Sequence, residues 1–474
     1  MSKRTVRRRE LLRWGALTAA GVIATACAPA PPATPSAQQP AQPTQASQPT
    51  LAPQAKEPVK IVWWNEGGDE HRDDLVKLFV DTFNAAHPNI QLDFVFQEDL
   101  DRVLRTAMQA GSGPDVVITP GAGFVLEYIN AGHVLDLSEY AAKYGWKERL
   151  LGWAYESGMI NGKLYSLPLT FESMIVIYNK TLFDQKGWKV PTNRQEIEAI
   201  AEAAKADGIY PFAYGNGDWK PATEHLIGMF LDHYAGADNV YKALIGEKKW
   251  TDEEFVGALK LMEEWFRRGY YSGSIDNYHA LTWDDFWPML ATGKGAMMMV
   301  GTWGFQGAVP AFTDSGQEWD WFPMPSLREG VKPVYALATG TTLSINAKSA
   351  HPNEAAEALD WVVNDKKRAM SIAAVYDFGE WVVPLHLSAE DFPPEADKRI
   401  VRFFEDFAKV TGRGDYGYTT WTFWPAKTEV YLYQAFDEVL AGTLTVEQYL
   451  AEVQKLFDEE KSAGKTPPVP KRNV

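Results

Sequence analysis

Aromatic rings gather with acids and amides at four places near the ends of predicted strands. Flat rings stack on the apolar C–H faces of a pyranose, while carboxylates and amides hydrogen-bond to its hydroxyl groups. This mixture of residue types therefore predicts a carbohydrate site. The four clusters are Trp64-Asn65-Glu66, Phe171-Glu172, Asn216-Gly217-Asp218-Trp219 and Gly301-Thr302-Trp303.

Ordinary core packing is the alternative role for each of these tryptophans, and for any one ring taken singly it is the more frequent role. Trp303 argues against it, because Gly301 and Gly304 flank this residue and leave its ring on a bare loop. The chain also has 18 Trp, 20 Tyr and 23 Phe, more rings than a core of Leu and Val requires. Some of them are therefore expected to face a ligand.

Several motifs that mark common enzyme sites are absent from the sequence. It has no His-Glu-x-x-His, no Gly-x-Ser-x-Gly and no P-loop, and its eight His show no metal-ligand spacing. We therefore expect no catalytic residue, no metal and no cofactor. A glycoside hydrolase or lyase is the alternative, although 62 acidic residues place some carboxylate pair close together in any fold.

The elements that must position the clusters follow an α/β order. Residues 59–64, 90–96 and 114–118 are typical of strands. A predicted helix lies in each interval between them, and these two helices end at Pro88 and at Gly111. This β-α-β-α-β order predicts a mostly parallel sheet with helices on its faces. In such open sheets, ligands bind outside the carboxyl ends of the strands.

The same alternation continues to the end of the chain. Residues 174–178, 295–300 and 341–345 are predicted strands, and the methionines of the second are expected to fill the core. A helix is expected from Pro352 to about Asn364. Three capping boxes predict further helix starts, at Thr192-x-x-Gln195, Thr251-x-x-Glu254 and Thr445-x-x-Gln448.

The N-terminus has the features of an export signal. Residues 3–13 carry six basic side chains and one acidic side chain, and an apolar stretch from Leu11 to Ile23 follows. Small residues then precede Cys27, the only cysteine. The pattern resembles a bacterial lipoprotein signal, residues 1–27, that ends at the lipobox Cys27. In such signals the cysteine thiol receives a diacylglycerol, and the leader is cut away so that this cysteine becomes the new N-terminus.

Two further features bear on this leader. Arg8-Arg9 followed by Leu11-Leu12 resembles a twin-arginine export signal. A single membrane-spanning helix is the alternative, but the apolar stretch is shorter than the roughly 20 residues that a bilayer requires. We therefore expect a lipid anchor on the extracytoplasmic face of the cell membrane.

Residues 28–58 are almost wholly Ala, Pro, Gln, Ser and Thr, which predicts a semi-extended tether without a core. Loss of the leader changes the formal net charge from −16 to −21, a surface that repels nucleic acid. No second cysteine is present, so disulfides and thiolate metal sites are excluded from the exported part. From Val59 onward the chain is too long for one compact core and suits two large lobes or three small domains.

Blocks between Val59 and Leu456 are similar to those of the family 1 extracellular solute-binding proteins, the maltose-binding-protein-like receptors of ABC sugar importers. Each block is loose, but their order and spacing together are specific. The blocks are Ser112-Gly-Pro-Asp-Val-Val-Ile118, Leu135-Asp-Leu-Ser138, Leu167-Pro-Leu169, Ile177-Tyr-Asn-Lys180, Val190-Pro-Thr192, Gly295-Ala-Met-Met-Met-Val-Gly-Thr-Trp303, Leu343-Ser-Ile-Asn-Ala-Lys-Ser349 and Leu440-Ala-Gly-Thr-Leu-Thr-Val-Glu447.

This resemblance implies ligand-binding roles for particular residues. Glu172 falls where maltose-binding protein has a sugar-bonding glutamate, and Trp303 falls where it has a stacking tryptophan. Residues 216–219 occupy the place of its acidic and aromatic ligand loop. Either Trp421 or Trp424 corresponds to its late stacking tryptophan, and the resemblance leaves that choice open.

Other positions depart from the family pattern or match it less closely. Gly67-Gly68 stands where the family member has an Asp-Lys pair after the first strand, so the sugar or its linkage is expected to differ from maltose. Gly340 and Trp381 lie near the expected crossovers between lobes. With Trp64, Asn65 and Glu66 they complete the predicted ligand-binding set.

The resemblance further implies two α/β lobes of the periplasmic-binding-protein type II fold, with a hinge and a ligand cleft between the lobes. The chain would cross between lobes near residues 169–171, near Ala338 and around residues 384–388. Lobe 1 is then expected to comprise residues 59–170 and 339–386, and lobe 2 residues 171–338 and 387–474.

The function implied is that of a lipid-anchored receptor that captures a sugar or oligosaccharide by hinge closure. The receptor would deliver the sugar to the permease subunits of an ABC transporter. It is expected to act as a monomer and to bind no nucleic acid. Neither the sugar, its length nor its linkage follows from the sequence.

Overall fold

The computed structural model describes residues 57–66 and 71–472. The predicted leader with Cys27, nearly all of the tether and the Gly67-Gly68 pair lie outside the described residues. Within the described part of the chain, no helix combines the length and the apolar character needed to cross a bilayer.

Two β-sheets organise the described chain. The first has the strand order β12-β11-β3-β1-β2, with β6 also paired to β11, and the second has the order β10-β7-β9-β8. A separate two-stranded hairpin joins β4 to β5. The strands are β1 Val59–Glu66, β2 Ile90–Gln97, β3 Val116–Thr119, β4 Met159–Ile160, β5 Lys163–Leu164, β6 Leu167–Glu172, β7 Met174–Asn179, β8 Tyr210–Phe212, β9 Gly295–Gly301, β10 Trp319–Phe322, β11 Ala336–Ile345 and β12 Gly417–Tyr418.

The predicted parallel arrangement is confirmed at the start of the chain, where β1 pairs in parallel with both β2 and β3. Later strands make each sheet mixed. In the first sheet β11 runs antiparallel to β3 and β6, and in the second β7 runs antiparallel to β9 and β10. The chain passes from the first sheet to the second at Ser173, between β6 and β7.

Helices cover the sheets and fill most of the remaining described chain. The α-helices span Arg72–Leu75, Thr82–Ala86, Leu100–Gln109, Ala122–Asn130, Ser138–Tyr144, Trp146–Arg149, Gly152–Ser157, Lys180–Lys186, Arg194–Ala206, Ala222–Phe230, Ala237–Ile245, Glu253–Arg267, Ile275–Ala280, Trp283–Ala291, Phe305–Ser315, Pro352–Val363, Lys366–Ala373, Lys398–Thr411, Thr420–Phe423, Ala426–Leu440 and Val446–Ser462. Two π-helical segments, Val76–Asp81 and Leu231–Gly236, and three 3₁₀ turns, Thr302–Gly304, Ala374–Tyr376 and Ala389–Asp391, complete the set.

Of the three predicted capping boxes, only that of Thr445 and Gln448 is confirmed. The helix Arg194–Ala206 begins one residue later than predicted, because the Asn193 side chain accepts the hydrogen bond from the Glu196 amide. The helix Glu253–Arg267 likewise starts after Asp252, not after Thr251. Asn is a stronger N-cap residue than Thr, which accounts for the first shift. Asp252 makes no side-chain cap hydrogen bond, so capping strength does not account for the second.

The methionine run is core, as predicted. Met297, Met298 and Met299 are fully buried on β9, which lies between β7 and β8 in the second sheet. Because both faces of this central strand are covered, it reads as a continuous apolar run. The strand ends at Gly301 and leads directly into the turn Thr302–Gly304, which carries Trp303.

Candidate ligand-binding site

Two adjoining cavities of about 560 and 550 Å³ lie where the strands and helices of the two sheets meet. They share Asp101, Pro120 and Glu380 in their linings, so they form one continuous cleft. The first cavity has a mixed lining, in which Thr119, Thr170 and Gln306 are among the polar side chains. We call the second the aromatic cavity, because four tryptophans line it: Trp219, Trp283, Trp303 and Trp421.

Nine of the twelve predicted ligand-binding residues line this cleft. Those in the first cavity are Asn65, Glu66 and Trp381. Those in the aromatic cavity are Glu172, Asp218, Trp219, Trp303, Gly340 and Trp421.

The remaining three, Trp64, Asn216 and Trp424, do not line the cleft. Trp424 is fully buried and stacks on Trp250 with their ring centroids 4.0 Å apart, so its role is core packing. Asn216 is also fully buried, and its side chain donates to the Thr223 hydroxyl over 3.0 Å. Trp64 packs half-buried against the core from a strand whose side chains alternate between faces.

The aromatic cavity is built around His225, in the helix Ala222–Phe230. Its ring centroid lies 5.0 Å from that of Trp219, 4.6 Å from that of Trp303 and 5.0 Å from that of Trp421. Trp303 and Trp421 also meet edge to face, with centroids 5.6 Å apart. We call these three rings the tryptophan cluster. They differ in exposure, since 51% of Trp219 is accessible whereas Trp421 is almost fully buried.

His225 holds the cluster in place as a neutral ring. Burial lowers its pKa to about 3, so it carries no charge at neutral pH. Its Nδ1 lies 3.0 Å from the Tyr214 hydroxyl, which fixes the plane of the imidazole. The tryptophan cluster therefore packs on a rigid, uncharged support.

Glu172 is placed by the close pairing of β6 with β11. The register shifts between Thr339 and Thr341, and the glycine at this irregularity, Gly340, lies directly beneath the Glu172 carboxylate. A Cβ built on Gly340 would overlap the Glu172 side chain. Burial and the nearby Glu380 raise the pKa of Glu172, while a hydrogen bond from the Trp421 side chain lowers it.

A second pair of acids lies deeper in the wall of the aromatic cavity. Glu224 and Glu429 hydrogen-bond to each other through their side chains, and the Thr420 hydroxyl donates to Glu224 over 2.9 Å. Burial raises the pKa of Glu224 well above its usual value and that of Glu429 to about 8. The pair therefore holds at least one proton at neutral pH.

Two polar residues at the end of β1 line the first cavity. Asn65 and Glu66 are the last residues of that strand, and the Asp101 carboxylate lies close enough to Glu66 to raise its pKa, after the larger effect of burial. Trp381 adopts a positive φ of 57° and donates its backbone N–H to the Thr170 hydroxyl over 3.1 Å.

Sequence reasoning missed several lining residues. Glu224 and His225 follow the predicted loop at residues 216–219 by only a few positions, so proximity to that loop was the available signal. Asp101 opens the helix after β2, where the strand-end rule applies. Glu380 precedes the predicted Trp381, so it had the same signal, whereas Glu429 carries none, because only the tertiary fold brings it to the cleft.

A family model described as "Bacterial extracellular solute-binding protein" matches residues 68–369, well over half of the chain. The chain belongs to this family. An ABC transporter extracellular-binding protein of Pyrococcus horikoshii is 27% identical over 66% of this chain and 69% of its own length. A multiple sugar-binding protein of Streptococcus mutans is 26% identical over 64% of this chain and 71% of its own length. Across the curated relatives of this group, the matched region covers 59% to 71% of the relative.

Among solved structures, a chitin oligosaccharide binding protein superposes on this chain with a TM-score of 0.72. The superposition covers 85% of this chain and 99% of the other, at 21% sequence identity. This similarity confirms the predicted two-lobed α/β fold. The lobe boundaries predicted from sequence stay predictions.

Gly340 is expected to tolerate no side chain because of the carboxylate above it. Gly340→Ala should lower the free energy of unfolding by about 1–3 kcal/mol, the usual cost of overpacking. The Gly152→Ala control should cost less, since nothing lies within 4 Å of a Cβ at that position. In a Glu172→Ala background, Gly340→Ala should cost less than half as much. Equal costs in both backgrounds, measured by urea unfolding, would contradict this placement.

Glu429 should make stability depend on pH. The folded carboxyl keeps its proton up to about pH 8, whereas the unfolded one loses it above about pH 4.5. Unfolding therefore releases a proton between these values, so stability present below pH 4.5 is lost as the pH rises to 8. The slope reaches at most about 1.4 kcal/mol per pH unit.

Glu429→Gln cannot release this proton and should flatten the decline between pH 5 and 8. The measurement is the unfolding free energy of both proteins at several pH values. Parallel curves for the two proteins would show that Glu429 does not hold a proton in the folded state.

Proposed function

We propose that this protein is a lipid-anchored extracytoplasmic receptor of an ABC importer that captures a sugar or oligosaccharide in the cleft described above. It would close around the sugar and deliver it to the permease subunits. The observation that carries the proposal is that the tryptophan cluster and the Glu172 carboxylate line the same cavity. Stacking rings beside hydrogen-bonding acids suit the two kinds of surface on a pyranose.

The geometry of the rings supports a saccharide rather than a smaller solute. Trp303 and Trp421 meet edge to face, so their planes present two differently oriented stacking surfaces. Trp219 extends the aromatic wall toward solvent. The two cavities are together large enough for more than one sugar ring, and their different linings offer different subsites. The relatives named as sugar-binding proteins add support.

Closure would occur between the two sheets. The chain passes from one to the other at Ser173, directly after Glu172, and returns between β10 and β11, just before Gly340. Ligand would favour a closed form only as far as it binds that form more tightly. Placing site residues beside the crossovers would couple ligand contacts to the hinge.

Anchoring and export are inferred from the leader alone. Cys27 would carry the lipid, the Pro-rich tether would hold the lobes off the membrane, and Arg8-Arg9 would direct export by the twin-arginine route. We propose that the receptor acts as a monomer. The alternative of a glycoside hydrolase receives no support from the relatives, which are named as binding proteins.

A sugar ligand should stabilise the protein without being consumed. We would screen the full-length protein in mild detergent against mono- and oligosaccharides, polyols and glycerophosphodiesters by thermal shift. A ligand that binds the native state raises the melting temperature. Recovery of the bound sugar intact is expected, and its conversion to shorter products would instead indicate a hydrolase.

Trp303→Ala should weaken sugar binding by about 1–3 kcal/mol, the usual value of a lost aromatic stack. The matched control is Trp188→Ala, which removes a half-buried tryptophan that does not line the cleft. Calorimetry with the sugar from the screen measures both. Unchanged affinity in Trp303→Ala would remove this ring from the binding site.

Cys27→Ala should abolish lipidation and release the protein from the membrane. Cells that express the wild-type chain and the variant would be fractionated after labelling with a fatty acid. The wild-type protein is expected in the membrane fraction and should carry the fatty-acid label. The variant is expected outside the membrane fraction and should carry no label. A variant that still fractionates with membranes would show that the leader, not a lipid, holds the protein there.

A further inference from the structure

Two buried histidines in one helical stretch differ in how their nitrogens are bonded. His225 lies in the helix Ala222–Phe230, and His233 lies in the π-helical segment Leu231–Gly236 that continues it. Each residue is only 2% exposed, and burial lowers the pKa of both, to about 3 and about 4 respectively. Both rings are therefore neutral at pH 7, with one nitrogen that donates and one that accepts.

His233 shows how a structural histidine is bonded in this chain. Its Nδ1 lies 2.8 Å from the Met229 carbonyl oxygen, and its Nε2 accepts from the Val334 N–H over 3.5 Å. Both partners belong to the backbone, as expected for buried polar atoms. His233 lines neither cavity of the cleft, and no nitrogen is left for a ligand.

His225 differs, because only one of its nitrogens has a partner within the described part of the chain. Its Nδ1 lies 3.0 Å from the Tyr214 hydroxyl, whereas its Nε2 makes no hydrogen bond to any described residue. Some unpartnered nitrogens of this fold are fully enclosed, as Trp287 Nε1 is, but His225 Nε2 keeps accessible surface. Because His225 lines the aromatic cavity, this nitrogen can meet a group that enters the cavity.

Tyr214, the partner of His225, is itself held in place. The fully buried Ser272 hydroxyl donates to the Tyr214 carbonyl oxygen over 2.7 Å and accepts from the Tyr214 N–H over 3.1 Å. Burial raises the pKa of the Tyr214 hydroxyl well above its usual value, so this group keeps its proton. The chain from Ser272 through Tyr214 to Nδ1 therefore fixes where Nε2 lies.

The surroundings of this nitrogen suit a sugar ring. The centroids of the three rings in the tryptophan cluster lie between 4.6 and 5.0 Å from that of the imidazole. A pyranose stacked on an indole keeps its apolar face on the ring and directs its hydroxyls outward from the rim. A hydroxyl both donates and accepts, so it can bond to Nε2 in either tautomer of the imidazole.

We propose that His225 is a ligand-binding residue that selects the sugar, because its Nε2 forms a hydrogen bond with one hydroxyl of a ring stacked on the tryptophan cluster. This inference rests on the proposed function, since it adds a specificity-determining residue to the same cleft. A sugar that lacks this hydroxyl leaves Nε2 unpaired once the ligand has excluded water. A site built to hydrogen-bond a hydroxyl rejects such an analogue far more strongly than an apolar pocket rejects a missing methylene.

The test measures whether His225 and one particular hydroxyl act together. Full-length protein in mild detergent is titrated by calorimetry with maltose, cellobiose, raffinose and N,N′-diacetylchitobiose. The sugar that binds most tightly is then titrated as a set of monodeoxy forms, each of which lacks one hydroxyl. At least one of these forms is expected to bind the wild-type protein about tenfold more weakly than the parent sugar.

His225→Phe keeps a flat ring among the tryptophans and removes both nitrogens. The parent sugar should bind this variant about tenfold more weakly, and loss of the critical hydroxyl should then cost nothing more. His133→Phe, which changes a histidine outside the cleft, should bind every form as the wild-type protein does. If His225→Phe instead weakens the parent and all deoxy forms by the same factor, His225 only supports the rings and the inference is wrong.

Two further measurements guard against a variant that does not fold. His225→Phe leaves the Tyr214 hydroxyl without its partner, so the double variant Tyr214→Phe/His225→Phe removes both groups together. In the wild-type protein, nitrogen NMR of ¹⁵N-labelled histidines should show the His225 Nε2 signal shift when the sugar is added, while both His233 signals stay in place. An unchanged His225 Nε2 signal at saturating sugar would contradict the proposed hydrogen bond.

The outcomes separate this inference from the proposed function. A sugar that binds the wild-type protein without any hydroxyl coupled to His225 would overturn the inference and leave the sugar receptor intact. If none of the four sugars binds, the sugar receptor is overturned and the inference fails with it.

Discussion

The pairing of β6 with β11 is the constraint on which the rest of the site depends. β11 also pairs with β3 and β12, so it ties the first sheet together while passing beneath the cleft. Its register shift at Gly340 leaves room for the buried Glu172 carboxylate, which receives a hydrogen bond from Trp421. The β6–β11 pairing, the position of Glu172 and the position of Trp421 therefore all depend on Gly340.

Near Gly340, stacked aromatic rings and buried acids line the same cavity. His225 stays neutral because burial disfavours its charged form, and so it supports three rings without compensating the acids nearby. The carboxylates keep raised pKa values for the same reason.

Local pattern predicted much of the fold and part of the site. Alternation identified β1, β2 and the buried β9, and strand-end clusters located Glu172 and Trp303 in the cleft. Local pattern failed where two neighbouring residues could both cap a helix, since Asn193 and not Thr192 is the N-cap of the helix Arg194–Ala206. Glu429 could not be found, because only folding brings it to cleft residues that are far away in sequence.

The central claim is that a saccharide binds in the cavity that the tryptophan cluster and the Glu172 carboxylate line. A crystal structure with the tightest-binding saccharide tests it most directly. The account predicts an intact sugar ring stacked on Trp303 or Trp421, with a polar group of the ligand bonded to Glu172. A saccharide bound away from this cleft, or found there as cleaved product, would contradict it.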